Sequence, residues 1–294
     1  MIRRRRAACF ALALAASLAA APLAAAPTPL EPGWTARLVV SGIGHCMSGI
    51  AYDPVSTDLF VNADHGRKLY RVTQAGVATL IHSEPTFDLD ALAFDPVARR
   101  LYVGGNGQTI VRMLDESGTP LGDLATVERA TGITFAPDAR VYVNFTDQGE
   151  IHRLDPVSST FPLWAGGLCA SLDGIALDPA GNAYVSETLC DQEQRVPAGG
   201  AGVTIGSVAA PRGMTYGDGS LFVTAFDSAV WRVAPDGSGV TPFANGHDAA
   251  LAVHFAANGR LYVGDFNAAE VWEYRRVATP VARPTWGGLK LLYR

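Results

Sequence analysis

Apolar and polar positions repeat about every forty residues along this chain. Between Leu172 and Glu187, LDGIALDPAGNAYVSE holds an alternating apolar stretch, a turn-forming segment and the start of a second apolar stretch. Alternation is typical of a half-buried strand, and Asp, Pro, Gly and Asn favour tight reversals. The stretch therefore predicts two antiparallel strands joined by a short turn.

Six copies of this unit follow one another in register. The first strands begin 42, 41, 42, 39 and 39 residues apart: SGIAYDP from Ser48, DALAFDP from Asp90, TGITFAP from Thr131, DGIALDP from Asp173, RGMTYGD from Arg212 and LAVHFAA from Leu251. An aromatic–valine pair follows each start: Phe60-Val61, Tyr102-Val103, Tyr142-Val143, Tyr184-Val185, Phe222-Val223 and Tyr262-Val263. Such a period indicates a repeat architecture.

Two more strands complete most copies, but the sixth copy lacks a fourth strand. A segment with the fourth-strand pattern, Trp34 to Gly42, instead precedes the first copy. If this segment pairs with the sixth copy, the repeats close into a ring and leave only short, protected sheet edges. The sequence therefore predicts an all-β fold, a six-bladed β-propeller of four-stranded blades whose last blade is closed by an N-terminal strand. An open solenoid or a sandwich is the alternative.

The two ends of the chain differ from the repeats. Residues 1–26 combine four arginines, an apolar run and small residues, the pattern of a secretory signal peptide. The apolar run is shorter than the ~20 residues of a membrane span, which favours a cleaved leader over an anchor. We expect a signal peptide at 1–26, the propeller at 27–277 and a Pro-rich tail at 278–294, with secreted or periplasmic localisation. The tail either packs on the propeller or serves as a recognition segment.

Composition limits the partners. Hydrophobic residues make up 48% and charged residues 17%, as in a folded domain. Without the leader, 19 basic and 28 acidic residues remain, a net charge of −9. This balance opposes nucleic acid or an anionic membrane as partner, and we expect a monomer that binds a small molecule or a protein segment.

Three cysteines remain after the leader: Cys46, Cys169 and Cys190. An oxidising compartment favours one disulfide among them. In a propeller, the loops before the first strand and after the second strand of a blade lie on the same side. Cys169 and Cys190 occupy these two loops of the fourth copy, so we expect them to pair and Cys46 to stay outside the disulfide.

The pattern G-I-A-x-D-P-x-x-x-x-h-Y-V, at a spacing near forty, resembles NHL-repeat propellers and the gluconolactonase-like family, which includes senescence marker protein. The likeness runs from Trp34 to Val277. It implies one divalent cation, usually calcium, bound on the axis by carboxylates and amides that precede the glycine of the inner strands. We call these positions the axial positions; here they hold Ser48, Asp90, Thr131, Asp173, Arg212 and Leu251.

Only two axial residues match the ligand chemistry that the resemblance implies. Asp90 and Asp173 are the candidate metal ligands, whereas Ser48 and Thr131 are weaker oxygen donors. Arg212 departs from the pattern because a guanidinium repels a cation. The alternative is that Arg212 pairs with Asp173 across the channel.

Propeller topology also predicts which other side chains share this face. The ends of the second strands and neighbouring loops contribute Asp64, Asp147, Glu187, Asp227, Asp265, His45, His65, His247 and Asp248. For the acids after the second strand, the alternative is a structural role in the turn. His254 stands among small residues at the equivalent positions of the other copies, which makes it a candidate general base or a hydrogen-bonded filler.

Two functions fit these features. The sequence favours an exported binding or scaffold protein that presents an acidic axial face to a small ligand or protein segment, since Arg212 stands at an axial position. The alternative is a calcium-dependent lactone or ester hydrolase, in which the cation polarises the carbonyl and Asp173 or His254 activates water. The HExxH, GxSxG, Walker and dinucleotide-binding motifs are absent from the sequence.

Overall fold

The computed structural model describes residues 26–63, 67–126, 128–136, 139–155, 158–197 and 200–277. These residues form 25 β-strands in six sheets, with no helix among them. Each sheet contains one sequence repeat, so the predicted six-bladed propeller is confirmed. The signal peptide predicted at 1–26, apart from Ala26, and the tail predicted at 278–294 lie outside the described residues.

Each blade places its strands in order from the axis outward. The innermost strands are β3 (Ile50–Tyr52), β7 (Asp88–Asp95), β11 (Ala130–Phe135), β15 (Leu172–Leu177), β19 (Pro211–Gly217) and β23 (Ala250–Phe255). The second strands are β4 (Leu59–Ala63), β8 (Arg100–Asn106), β12 (Val141–Phe145), β16 (Ala183–Glu187), β20 (Ser220–Ala225) and β24 (Leu261–Asp265). The third strands are β5 (Lys68–Val72), β9 (Ile110–Asp115), β13 (Glu150–Arg153), β17 (Gln192–Val196), β21 (Val230–Val233) and β25 (Glu270–Arg276). The outer strands are β6 (Ala78–Ser83), β10 (Pro120–Ala125), β14 (Leu163–Ala165), β18 (Val203–Gly206), β22 (Val240–Asn245) and β2 (Trp34–Ser41).

The ring closes through β2, which pairs antiparallel with β25 of blade six. The register runs from Trp34 opposite Arg276, and a bulge lies between Leu38 and Val40, both of which are paired. The strand that the sequence displaces to the start of the repeats therefore supplies the outer strand of the last blade. This confirms the predicted closure.

A buried ion pair reinforces the closing strand. Arg37 on β2 donates from Nη2 to Glu273 Oε2 on β25 at 3.0 Å, and Glu273 is fully buried. Arg260 contacts the same carboxylate at 2.8 Å. Burial alone would raise the pKa of Glu273, but the two guanidinium groups outweigh it and hold that pKa below its usual range.

A short strand, β1 (Thr28–Pro29), was not predicted. It pairs with β22, which gives blade five a fifth strand, and Leu30 N donates to Phe243 O at 2.8 Å. Glu31 then forms a 2.8 Å ion pair with Arg232. Two residues that include a proline carry no strand periodicity, so β1 depends on tertiary contacts rather than on its own sequence pattern.

The core lies between neighbouring blades. The aromatic–valine pairs occupy the second strands and are buried; Tyr184, for example, is 2% exposed. Aromatic rings link adjacent blades, such as Phe60 with Phe94 at 5.0 Å and Tyr52 with Tyr262 at 6.2 Å between ring centroids. Because the second contact joins blades one and six, packing continues across the point of closure. In the part of the chain that the structure describes, no helix has the length and hydropathy of a membrane span.

Candidate functional site

All six axial positions line one cavity of about 660 Å³ at one end of the propeller axis. They are brought together because each stands at or near the start of an innermost strand. The residue after the axial position is glycine in four blades and alanine in the other two, which allows these strands to approach closely. A Cβ on Gly174 would lie 2.5 Å from both Arg212 O and Met214 N of the next blade. A larger residue at this position would push blades four and five apart.

Polar side chains on the second strands lock the inner strands in place. Asn62 Oδ1 accepts from Gly49 N at 2.6 Å, and its Nδ2 donates to Asp90 O at 2.8 Å. Asn144 makes the equivalent bridge from Gly132 N to Asp173 O, both at 2.6 Å. Ser186 and Thr224 bridge later blades in the same way: Ser186 to Arg212 O, Thr224 to Leu251 O. The carbonyl groups of four axial residues are thus fixed by a neighbouring blade.

Arg212 of blade five pairs with Asp173 of the neighbouring blade four in this cavity. Arg212 Nη1 donates to Asp173 Oδ2 at 2.7 Å, and each side chain is about one-quarter exposed. The guanidinium also lies over the Phe226 ring, 4.3 Å from Cζ to the centroid. The cavity therefore holds a positive charge whose orientation is set by one carboxylate and one aromatic ring.

Asp90 is a carboxyl group of this cavity with a raised pKa. Burial raises its pKa to about 7, and the carboxylate of Asp173 adds to the increase. Ser48, Arg129 and Arg212 oppose the shift only in part. A carboxyl group with this pKa exchanges protons near neutral pH, which an ordinary aspartate does not.

The hydroxyl groups of the remaining polar axial residues are already engaged. Ser48 Oγ donates to Asp90 O at 3.1 Å or Leu89 O at 3.4 Å. Thr131 Oγ1 contacts Thr146 Oγ1 and donates to Leu172 O at 3.0 Å. These hydrogen bonds stabilise the cavity wall.

The donor set at the axis does not fit the calcium ion that the sequence resemblance implies. Calcium takes six to eight oxygen ligands. Among the described residues, the axial positions offer two carboxylates. Asp173 is paired with Arg212, and Asp90 is partly protonated at neutral pH because its pKa is raised to about 7. A guanidinium beside the proposed ligands would repel the ion. The coordination chemistry is therefore incomplete in the described part of the chain.

Three acids predicted for the ligand face lie outside the cavity lining. Asp227 is exposed and accepts from Ala229 N at 3.1 Å, as a turn residue does. Asp265 is buried and contacts His247 Nδ1 at 2.6 Å, while His247 Nε2 contacts Tyr274 OH at 2.6 Å. The contact of Asp227 is that of a turn residue, whereas Asp265 belongs to a buried network with His247 and Tyr274.

Glu187, the third of these acids, supports the disulfide loop. Cys169 and Cys190 form a disulfide, with Cα atoms 6.6 Å apart. The buried Glu187 accepts from Cys169 N at 3.0 Å and from Gln192 and Gln194 side chains. Cys46 is buried outside the disulfide and lines the axial cavity.

The other polar residues predicted near this face make local contacts. Asp147 pairs with Arg129 at 2.9 Å, and Asp248 accepts from Asn267 Nδ2 at 3.0 Å. His45 Nδ1 donates to Asn267 O at 2.9 Å. Asp64 and His65 lie outside the described residues.

His254 lines a second cavity, of about 200 Å³, rather than the axial cavity. Leu92, Ile133, Ile175, Met214 and Val253 border both cavities and form an apolar boundary between them. Burial lowers the pKa of His254 to about 4, so the ring is neutral at pH 7. The structure thus places the two predicted catalytic residues, Asp173 and His254, in different cavities.

Two phenylalanines of the axial cavity were not singled out from the sequence. Phe226 and Phe266 follow the second strands of blades five and six and line the cavity. The sequence could have indicated them. Each stands four residues after the aromatic residue of its aromatic–valine pair, a position that is polar in the first four copies: Asp64, Asn106, Thr146 and Thr188.

Comparison with solved structures shows which proteins share this fold. No family model matches this chain, and no curated protein matches its sequence. Among solved structures, a gluconolactonase from Xanthomonas campestris has a TM-score of 0.71 at 16% identity, covering 86% of this chain and 95% of that one. The chain has the fold of the gluconolactonase-like propellers.

Proteins with other activities share this fold. A PQQ-bound aldose sugar dehydrogenase from Streptomyces coelicolor gives a TM-score of 0.69 at 16% identity, covering 84% of this chain and 99% of that one. A virginiamycin B lyase from Staphylococcus aureus gives 0.61 at 10%, covering 83% and 100%. Because the named proteins differ in activity, the likeness concerns the fold, and activity has to be argued from the cavity.

Proposed function

We propose that the axial cavity is the active site of a hydrolase that cleaves a small lactone or ester, with Asp90 as general base. The observation that carries this proposal is the presence of two complementary groups in one cavity. Asp90 exchanges a proton near pH 7, and the Arg212 guanidinium is held in a fixed orientation by Asp173 and Phe226. Ester hydrolysis needs a group that takes a proton from water and a positive charge that stabilises the resulting oxyanion.

The reaction follows from these two groups. Asp90 removes a proton from water as the water oxygen bonds to the carbonyl carbon. The positive charge of Arg212 stabilises the negative charge that develops on the carbonyl oxygen. The carbon–oxygen single bond then breaks, and Asp90 returns the proton to the leaving alkoxide. One ester and one water become one carboxylic acid and one alcohol.

Asp173 has a positioning role in this proposal. Its carboxylate accepts from Arg212 Nη1 at 2.7 Å, which fixes the orientation of the guanidinium and compensates part of its charge, so that Arg212 neutralises Asp90 only in part. The negative charge of Asp173 also raises the pKa of Asp90. His254 takes no part because it lies beyond the apolar boundary of the cavity.

No step is assigned to calcium, because the described donors do not suit it and Arg212 already supplies positive charge. The fold likeness to a gluconolactonase supports an enzyme better than the scaffold role that the sequence favours. The experiment therefore has to distinguish a hydrolase from a binding or scaffold protein.

The test measures hydrolysis of short-chain lactones and para-nitrophenyl esters between pH 5 and 9. We expect kcat/KM to rise with pH and to level off above about pH 7, since the base must be deprotonated. Asp90→Asn should lower kcat/KM by about 10²-fold or more, in the range of general-base catalysis. Asp227→Asn, at an exposed turn outside the cavity, is the matched control and should keep the wild-type rate.

Three results would contradict the proposal. Absence of hydrolysis across the panel would favour the scaffold interpretation. A wild-type rate in folded Asp90→Asn would remove the assigned base. Loss of activity on dialysis against EDTA, restored by calcium, would replace Arg212 by a metal ion as the source of positive charge.

A further inference from the structure

We infer that the ligand of the axial cavity carries an apolar group, an alkyl chain or aryl ring, which lies against blades five and six. This inference rests on the proposed function only for the ester or lactone bond itself. It concerns the remainder of the molecule and predicts a substrate unlike a polyhydroxylated sugar lactone.

The cavity is divided into two chemically different halves. Oxygen-bearing axial residues stand in blades one to four: Ser48, Asp90, Thr131 and Asp173. The side formed by blades five and six is apolar at its rim, and we call it the apolar wall; it consists of Phe226, Leu251 and Phe266. The apolar boundary, by contrast, takes one residue from each of blades two to six. Arg212 of blade five lies where the two halves meet, because its guanidinium pairs with Asp173 of blade four and stacks on Phe226 of the apolar wall.

Two columns of the repeat become apolar in neighbouring blades. The axial column is polar in blades one to five, Arg212 included, and holds Leu251 in blade six. The column four residues after the aromatic of each pair is polar in the first four copies and phenylalanine in the last two, Phe226 and Phe266. A single apolar substitution would be ordinary surface variation, but a joint change on neighbouring blades produces a continuous wall.

This wall is accessible within the cavity. Phe226 is 44% exposed, and Leu251 and Phe266 are partly exposed. Met214 and Val253 of the same two blades belong to the apolar boundary between the two cavities. Apolar surface left in a water-filled cavity gains free energy when a ligand covers it, and each buried methylene contributes up to about a fourfold increase in affinity.

Hydroxyl groups on a ligand would be disfavoured at the apolar wall. A buried hydroxyl without a hydrogen-bond partner loses the solvation that it had in water. The side chains of the apolar wall offer no hydrogen-bond donor or strong acceptor. A sugar lactone, with hydroxyl groups around its ring, would have to place some of them here.

The test uses two matched pairs of probes. δ-Hexanolactone and glucono-δ-lactone share the ring ester and differ in hydroxyl groups, and hexanoate and gluconate differ in the same way as open-chain carboxylates. We expect wild-type kcat/KM to favour δ-hexanolactone by about tenfold or more, and calorimetry to show tighter binding of hexanoate than of gluconate. Para-nitrophenyl esters should be cleaved faster as the acyl chain lengthens from acetate to hexanoate.

Variants locate the preference. Leu251→Asn and Phe266→Asn, made separately, should each reduce the hexanoate-to-acetate ratio of kcat/KM by about fivefold to tenfold. Leu163→Asn, an exposed leucine on the outer strand of blade three, is the control and should leave that ratio unchanged. Thermal unfolding shows which variants are folded and therefore interpretable.

The outcomes separate this inference from the proposed function. If esters are hydrolysed but glucono-δ-lactone is preferred, the inference is wrong while the hydrolase proposal stands. If no ester is hydrolysed, the hydrolase proposal fails, and the calorimetric order of hexanoate and gluconate still decides the inference. Equal or reversed binding of the two carboxylates overturns it.

Discussion

Glu193 of β17 allows a quantitative test of the packing between blades four and five. Its side chain is fully buried, and neither carboxylate oxygen has a hydrogen-bond partner among the described residues. The carboxylate lies over Gly206, in the space that Val233 and Val240 of blade five also approach. Burial therefore raises the pKa of Glu193 to about 7; weak contacts with the backbone N–H groups of Glu193 and Val208 oppose the increase only in part, and the nearby Glu187 adds to it.

This pKa makes the stability of the protein depend on pH. In the unfolded chain the glutamate has a pKa near 4.5, so the folded state binds the proton more tightly. Below pH 4.5 the group is protonated in both states and has no pH-dependent cost. As the pH rises from 4.5 to 7, the folded state loses stability relative to the unfolded state. The full cost above pH 7 is about 3 kcal/mol, from the difference between the two pKa values.

The substitution Glu193→Gln removes this titration. We expect the variant to gain about 3 kcal/mol over the wild type between pH 4.5 and pH 8, measured as the difference in unfolding free energy by urea denaturation. Asp90 titrates over the same range in both proteins and cancels in that difference. Glu270→Gln, at a partly exposed position of blade six, is the control and should show no such slope.

A pH-independent difference between the wild type and Glu193→Gln would refute the reasoning. It would mean that the carboxylate is hydrated or paired in solution. The buried side-chain amide of the Glu193→Gln variant has its own cost, which does not depend on pH and shifts the whole difference in unfolding free energy by a constant. Such a constant shift is compatible with the reasoning only if the difference also rises with pH as expected.

Three further predictions concern closure, the disulfide and export. Arg37→Ala should lower the free energy of unfolding by about 1–3 kcal/mol, since Glu273 keeps only part of its charge compensation; an unchanged urea midpoint would argue against the closing role of this pair. Replacing Cys169 and Cys190 by serine should cost about 3 kcal/mol, because the bridge closes a loop over 21 residues, and reductant should then have no further effect on the melting temperature. Export from a bacterial host should remove about 26 residues, which mass spectrometry of the mature protein measures; an intact leader would contradict the signal peptide.

The fold could be predicted from the sequence because the information is repeated. Each blade is a local unit, and six copies in register average out the irregularities of any one copy. The missing fourth strand was informative for the same reason, since only ring closure gives Trp34 to Ser41 a partner. β1 carried no such signal, because Thr28 and Pro29 pair with β22 through a neighbour that is distant in sequence.

The candidate site was predictable only in part. The axial positions converge because topology alone determines where Asp90, Asp173 and Arg212 lie. The partners of acids such as Asp265 could not be read from the sequence, since its contact with His247 depends on loop conformation and burial. His254 and Asp173 lie at different positions along the propeller axis. Aligning the six sequence copies shows which blade a residue belongs to but not which cavity its side chain lines.

The closing pair also affects how the protein is made. Arg37 and Glu273 are 236 residues apart in the chain. At typical synthesis rates of ~5–20 residues per second, β2 would wait roughly 10–50 s for its partner strand to be synthesised. During that time β2 has no partner strand, and its unpaired backbone groups can pair with strands of other chains. A holding chaperone, or passage across a membrane before folding, would protect the unpaired β2 during this time. A permuted chain that starts at β3 and ends with β2 after β25 would not need this protection.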